Sequence, residues 1–410
     1  MSLTDLNRAG LSADRGAEAS ARRKLPLAAL LALATAVFIT SLTETLPAGL
    51  LPAMSGDLGV GESAAGQTVT VYALGTVLTA IPLSAATARL RRRKLLLTTV
   101  LGFAVANTVT ALSPYYPLTM VARFAAGVAA GLAWALLAGY ARRMAPPHLQ
   151  GKAIAVAMAG IPVALSLGVP AGTFVGKVVG WQAAFLVMTG LTVVLLGWIL
   201  AAVPDYPGQR AGAGGGPSMT GTLKVPGVAP VLVVTLVFVL AHTVLYTYVT
   251  TFLDHLGMGG QADVVLLVFG GASVVSIWVV GALISRWLRV LMTAGTLLVG
   301  VAGVVLALLA GTPALVYVAV VLWGLGWGGA PTLLQTAAGD AGGERADAAQ
   351  AMLVTLWNVA MAGGGVVGGL LLDRLGTASL PWSVPILLAP VLVVVLAARA
   401  HGFPARRSAG

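Results

Sequence analysis

The sequence predicts an all-α membrane protein with twelve transmembrane helices in two pseudo-symmetric six-helix bundles. Three observations predict it. First, 58% of the 410 residues are hydrophobic, only 9% are charged, and the mean hydropathy is +0.94. A soluble domain carries about 25% charged residues, so this chain lacks the charge to cover a water-facing surface. Second, the basic residues fall on one side of the predicted spans. Third, the two halves repeat each other at one fixed offset.

Residues 1–24 are a polar tail ending in Arg22-Arg23-Lys24. The apolar run from Leu25 is too long for a signal peptide and many spans follow it, so it is read as a retained first helix. Spans of about 20 apolar residues with short loops fall at 25–54, 63–88, 94–112, 117–141, 151–176 and 182–203, giving an N-terminal bundle over 25–204. A Gly/Pro-rich stretch over 205–226 reads as a flexible cytoplasmic linker. The second bundle, over 227–399, holds spans at 227–253, 261–285, 288–310, 314–337, 346–372 and 380–398, followed by a tail at 400–410. Helices are required because lipid cannot satisfy an open sheet edge, and barrel strands would alternate polar and apolar residues.

With the N-terminus inside, the inner segments hold 21 of the 24 Lys and Arg residues. Lys177 and Arg374 fall outside, and Arg123 lies within a span. That asymmetry predicts cytoplasmic termini and an even number of spans. A net charge of +11 would suggest nucleic acid in a soluble protein. Here the charges sit in short loops and set topology, so membrane lipid is expected as the partner and nucleic acid is not. The absence of cysteine excludes disulfides and thiol chemistry, and the four histidines lack metal-ligand spacing. No metal or cofactor is expected. The loops carry no nucleotide-binding motif and no catalytic triad, which argues against an enzyme or an ATP-driven pump.

Gly127, Gly131, Gly172 and Arg89 each recur 197 residues on, as Gly324, Gly328, Gly369 and Arg286. The shared offset suggests a parallel duplication of six plus six spans, a transporter architecture with its site between the halves.

Few ionisable groups lie inside the spans. Glu44 is about ten residues from the outer end of span one, roughly 15 Å deep. A carboxylate there costs several kcal/mol unless it is paired, hydrated or protonated, so Glu44 is the candidate proton site. The competing reading is a structural carboxyl bonded to a neighbouring helix. Arg123 in span four stays charged and needs partners, either carbonyls or Glu44; the alternative is an interfacial side chain reaching the outer surface. His242 in span seven is either a structural histidine or a proton carrier. Tyr72, Trp134, Tyr246, Tyr248, Trp278, Trp327, Gln335, Trp357 and Asn358 are candidates to line a cavity for a small-molecule substrate. The buried amides have the better case, being costly unless bonded. Several of the aromatics also fit an interfacial belt. GIPVALSLGVPAGTFVG (160–176) and AMAGGGVVGG (360–369) mark close helix contacts.

The phrases TETLPAGLLPAMSGDLGV (43–60), GVPAGTFVGKVVGWQAAF (168–185), LWGLGWGGAPTLLQTAA (322–338) and LWNVAMAGGGVVGG (356–369) resemble the major facilitator superfamily. The likeness covers residues 25 to 400 and is to its bacterial twelve-span drug:proton antiporters, in the sugar-, nucleoside- and chloramphenicol-efflux branch. That resemblance implies alternating-access export of small organic molecules in exchange for protons, from a monomer in the bacterial inner membrane. A proton-independent facilitator or importer on the same fold is the rival, and a membrane enzyme or receptor a more distant one. The resemblance casts Glu44 and Arg123 in proton coupling. From the residues themselves, Tyr72, Trp134, His242, Tyr246, Gln335, Trp357 and Asn358 are expected to supply the substrate contacts. Gly168, Pro170 and Gly172 match the antiporter motif of span five, with Gly-Val-Pro replacing Gly-Pro. In the loop after span two, the basic residues Arg89, Arg92 and Arg93 match the family's conformational motif. Its aspartate and both glycines are missing, with Ala88 at the aspartate position and Ser84 at the first glycine. A weaker inner-side latch is expected.

Overall fold

The computed structural model describes residues 25–87, 89–146, 149–208 and 219–404, with the backbone alone at Ile81, Ser84, Ala85, Met219 and Asp347. The tail 1–24, residues 147–148, the linker centre 209–218, residues 405–410 and Ala88 lie outside the described residues.

In lipid a backbone's only partner is its own ladder, so the long apolar runs become helices. The N-terminal half is built from α1 (Leu27–Leu58), α2 (Glu62–Ala86), α3 (Arg92–Leu112), α4 (Tyr116–Met144), α5 (Gln150–Val179) and α6 (Trp181–Ala202). Gly180, at φ 111°, makes the one-residue turn between α5 and α6, a conformation open to glycine. Within the linker expected to be flexible, α7 (Met219–Leu223) is a short helix, and the Pro207 carbonyl accepts a 3.3 Å hydrogen bond from Arg143.

The C-terminal half holds α8 (Val228–Thr247), α9 (Val249–His255), α10 (Ala262–Leu309), α11 (Pro313–Trp327), α12 (Ala330–Gly342), α13 (Ala346–Leu375) and α14 (Ser379–Ala397). Two breaks fall inside expected spans, and a third falls where expected. Span seven divides at Tyr248. Spans eight and nine meet at the expected boundary, in a kink at Trp287 (φ −127°, ψ 27°). Span ten divides before Pro331, which has no N–H for the Trp327 carbonyl. Among the described residues, ten helical stretches are long and apolar enough to cross a membrane. The Gly259–Leu309 stretch of 51 residues is more than twice the length of one crossing. Counting it as two, and adding α2, is consistent with twelve spans.

The repeat is visible in the packing. Gly127 and Gly131 of α4 lie against the carbonyls of Tyr72 and Thr76 in α2. Gly324 of α11 and Gly328 lie against those of Phe269 and Ser273 in α10. Each residue of the second set is 197 positions beyond its counterpart. Glycine is needed because any Cβ there would strike the neighbouring backbone.

The halves are joined at the end of the bundle away from Leu25 and Pro404. The Tyr248 hydroxyl lies 2.8 Å from the Gly365 carbonyl of its own half and 3.3 Å from the Ser63 carbonyl across the interface, and Gln67 donates to the Gly365 carbonyl at 3.2 Å. Thr70 donates to the Ala362 carbonyl at 3.3 Å. Pro52 leaves the Ala48 carbonyl without its helical N–H, and Thr250 of the other half fills the vacancy at 2.7 Å. Lys177 faces Asp263 at 3.8 Å and donates to the Gly260 carbonyl at 2.5 Å.

Candidate functional site

Two clusters of different chemistry meet at the centre. The first belongs to the N-terminal half. Arg123 of α4 is 0% exposed, which excludes an interfacial side chain reaching for the surface. Its Nε donates to the Thr68 carbonyl at 3.3 Å. The guanidinium carbon stands 4.9 Å from the centre of the Tyr72 ring and 6.0 Å from that of Phe185. Nη1 and Nη2 have no hydrogen-bond partner. Its charge therefore rests on aromatic faces, each worth about 1–2 kcal/mol when desolvated, and on its electrostatic interaction with Glu44. Arg123 and Glu44 make no direct ion pair. The Tyr72 hydroxyl donates to the Thr40 carbonyl of α1 at 3.1 Å, which fixes its ring beneath Arg123.

Glu44 is buried on α1 and faces a cavity between the halves. Thr45, Ala48, Val69 and Leu165 complete its side of the wall. The opposite wall is the second cluster: His242, Tyr246, Phe269, Trp327 and Trp357, with Thr243 and Thr247. His242 stacks on Trp327 with ring centres 3.4 Å apart, and its Nδ1 accepts from Trp323 Nε1 at 3.0 Å. Trp357 tilts over Trp327 at 5.5 Å. The Tyr246 hydroxyl is buried without a hydrogen-bond partner.

The structure thus brings together Glu44, His242, Tyr246 and Trp357 of the expected substrate and coupling residues. Tyr72 supports Arg123 and does not line the cavity. Trp134 packs half-buried in the N-terminal core. Gln335 is exposed, and its backbone carbonyl takes a hydrogen bond from Gln350. Asn358 is buried but donates to Val354 in its own helix at 2.9 Å. The preference for amides over aromatics is therefore reversed, because Gln335 faces outward and Asn358 bonds within its own helix. Tyr248 seals the far end, and Trp278 is 76% exposed. Phe269 and Trp323 were missed; the 197-residue offset from Tyr72 would have found Phe269.

In α5, Pro170 lacks the N–H that would meet the Ser166 carbonyl, and a π-helical turn forms over Ala164–Gly168. Gly168 and Gly172 face Phe38, Leu42 and Leu46 of α1, while Gly270 of α10 abuts Ser166 from the other half. This stretch of α5 therefore lies between the Glu44 helix and the opposite half.

The basic loop after α2 docks on the end of α6. Arg91 pairs with Asp205 at 2.6 Å, the Arg93 amide donates to the same carboxylate at 3.3 Å, and the Arg93 side chain bonds the Leu200 carbonyl. The Arg92 amide donates to the Tyr206 carbonyl at 2.9 Å, and Arg89 is exposed. Desolvation pushes the Asp205 carboxyl up, but hydrogen bonds from Arg91 and Arg93 and their charges outweigh it and hold it below the usual carboxylate range. An acidic partner for the loop thus comes from the linker.

A family model described as Major Facilitator Superfamily matches residues 33–365. A Pseudomonas aeruginosa protein called transcription regulatory protein OpdE is 31% identical, covering 90% of this chain and 93% of its own. A probable sugar efflux transporter of Mannheimia succiniciproducens is 26% identical, covering 86% and 88%. A chloramphenicol efflux pump of Mycobacterium tuberculosis is 30% identical, covering 83% and 85%. Among solved structures, the human organic anion transporter TETRAN shares the fold with a TM-score of 0.68 at 16% identity, over 91% of this chain and 100% of its own.

Proposed function

We propose that this chain, which belongs to the Major Facilitator Superfamily, exports small organic molecules across the bacterial inner membrane in exchange for protons. The transporter is a multi-pass membrane protein and not an enzyme. One observation carries the finer reading: a lone buried carboxyl, Glu44, lies in the wall of the cavity between the halves, within the field of a buried arginine. Intramembrane carboxyls of this kind mark proton relays. The efflux names of the Mannheimia and Mycobacterium relatives support the export direction.

The cycle follows from charge. With cytoplasmic termini, the joined end faces outward and Glu44 is reached from inside. A substrate entering the cavity competes with Arg123 for the carboxylate. Once the far end opens, an external proton neutralises Glu44 and weakens its hold on the substrate. The empty, protonated site returns and releases its proton inside. Arg123 keeps the carboxylate from standing alone in an apolar wall, which would cost several kcal/mol.

Everted membrane vesicles with an imposed pH gradient test this reading. A screen of amphenicols, sugars, nucleosides and lipophilic cations is expected to find a compound that dissipates the gradient with wild type and not with Glu44→Gln. Full gradient-driven export by Glu44→Gln would overturn the role of Glu44. Radiolabelled flux that ignores the gradient would establish a facilitator instead. If no solute moved, a purely regulatory role of the kind in the Pseudomonas relative's name would displace transport.

A further inference from the structure

The aromatic wall of the cavity carries information about what binds there. It rests on the transport reading above and narrows its substrate. An indole nitrogen only donates hydrogen bonds. Because Trp323 Nε1 donates to His242 Nδ1, that nitrogen is an acceptor and the ring proton sits on Nε2. A doubly protonated ring would turn a donor toward a donor. His242 is therefore a fixed hydrogen-bond donor on this wall rather than a proton carrier. Its neighbour Tyr246, stacked on it with ring centres 5.1 Å apart, is 6% exposed and has a buried hydroxyl with no partner. A buried unpaired hydroxyl is costly, and a ligand that accepts from it removes that cost. Besides Thr243 and Thr247, the rest of this wall is apolar or aromatic: Val239, Phe269, Trp327, Trp357 and Met361.

We infer that the site takes a flat aromatic or heteroaromatic molecule with a hydrogen-bond acceptor on its edge. A nitro group, a carbonyl or a ring nitrogen would meet the Tyr246 hydroxyl, while the ring packs on Trp327 and Trp357. A polyhydroxylated sugar matches this wall less well: beyond Glu44, Thr45, His242, Thr243, Tyr246 and Thr247 the lining is aromatic or aliphatic, and each buried polar group without a partner loses its hydration. Tyr246 is the specificity residue on this account, because it separates molecules by an acceptor rather than by size.

The test uses the full chain in detergent or nanodiscs without a gradient, so it reads the site and not the coupling. Binding of four probes is measured by equilibrium dialysis and by quenching of tryptophan fluorescence: an amphenicol, its analogue lacking the nitro group, a purine nucleoside and a disaccharide. The amphenicol and the nucleoside are expected to bind and the disaccharide not. Tyr246→Phe is expected to weaken the amphenicol about tenfold, as one hydrogen bond does, and the analogue less than twofold. Trp357→Ala is expected to weaken both aromatic compounds about equally. Size-exclusion profiles matching wild type establish that the variants fold. Binding of the disaccharide with no aromatic binding, or a Tyr246→Phe effect equal for both amphenicols, would overturn the inference. Its failure is separable from that of the export reading. A sugar driven uphill in vesicles keeps export and removes the aromatic substrate, whereas an aromatic ligand that binds but never moves does the reverse.

Discussion

The two halves share a packing scheme and differ in what they place inside it. Gly127 lies on the Tyr72 carbonyl just as Gly324 lies on that of Phe269. Yet Arg123 has Val320 at its equivalent position, Glu44 has Ala241, and Ala126 has Trp323. The N-terminal half carries two buried ionisable side chains, Glu44 and Arg123, that make no ion pair, and the C-terminal half an aromatic box built on His242. The difference teaches a division of labour. Backbone contacts at glycine are constrained in both copies because nothing but hydrogen fits, whereas the side chains facing the cavity could diverge, one copy toward charge and the other toward stacking.

The shared part of the comparison is the easiest to break. Gly127→Val and Gly324→Val should each press a branched side chain into a neighbouring carbonyl, at a cost of about 3 kcal/mol for overpacking. Both variants should lose most of their folded protein, read by size-exclusion of the detergent-solubilised chain. A loss confined to one variant would show that the halves do not share the contact. The divergent part is sharpened by Arg123→Lys, which keeps the charge but loses the planar fit over Tyr72. About 1 kcal/mol of cation–π attraction corresponds to roughly fivefold slower gradient-driven export, with ligand binding at the aromatic wall unchanged. Trp323→Phe tests the other half. It should weaken binding of aromatic ligands a few-fold while leaving proton coupling intact, since it only frees His242 Nδ1. Effects appearing in the opposite assays would undo the division.

The smallest effect concerns the loop that docks on α6. The Arg91 side chain is 69% exposed, and exposed ion pairs contribute little. Asp205→Asn should change export rate by less than twofold at neutral pH. The Asp205 carboxyl is held below its ordinary range, so the clasp is complete above that range and is lost as pH falls through the lowered value. A larger loss at neutral pH would show that the linker acid works as a latch.

The sequence was most legible where physics is strict. Apolar length, basic loops and the 197-residue offset foretold the helices and their doubled arrangement. Glu44 and Arg123 stood out because charges are so rare in the spans. The cavity wall was harder to read. Gln335 and Asn358 looked costly to bury, but one faces outward and the other bonds within its helix, outcomes that depend on helix rotation and not on composition. Trp323 was unmarked because an indole among many apolar residues looks like packing until its N–H is seen on His242. The break between spans eight and nine was legible: Arg286 and Arg289 marked it, and the helix kinks at Trp287 between them.

The seal at the far end has one further consequence. Thr70, Gln67, Lys177, Tyr248 and Thr250 each reach a backbone carbonyl of the opposite half. Every residue type supplies such a carbonyl, so no mutation on the accepting side can delete the acceptor chemically. An accepting position can change its side chain and keep its acceptor wherever space allows, Gly365 excepted because a Cβ there would meet Thr70 Oγ1, whereas a donor is lost with its side chain. A pump under pressure to accept new compounds can vary the side chains near its cavity without also reinventing the door.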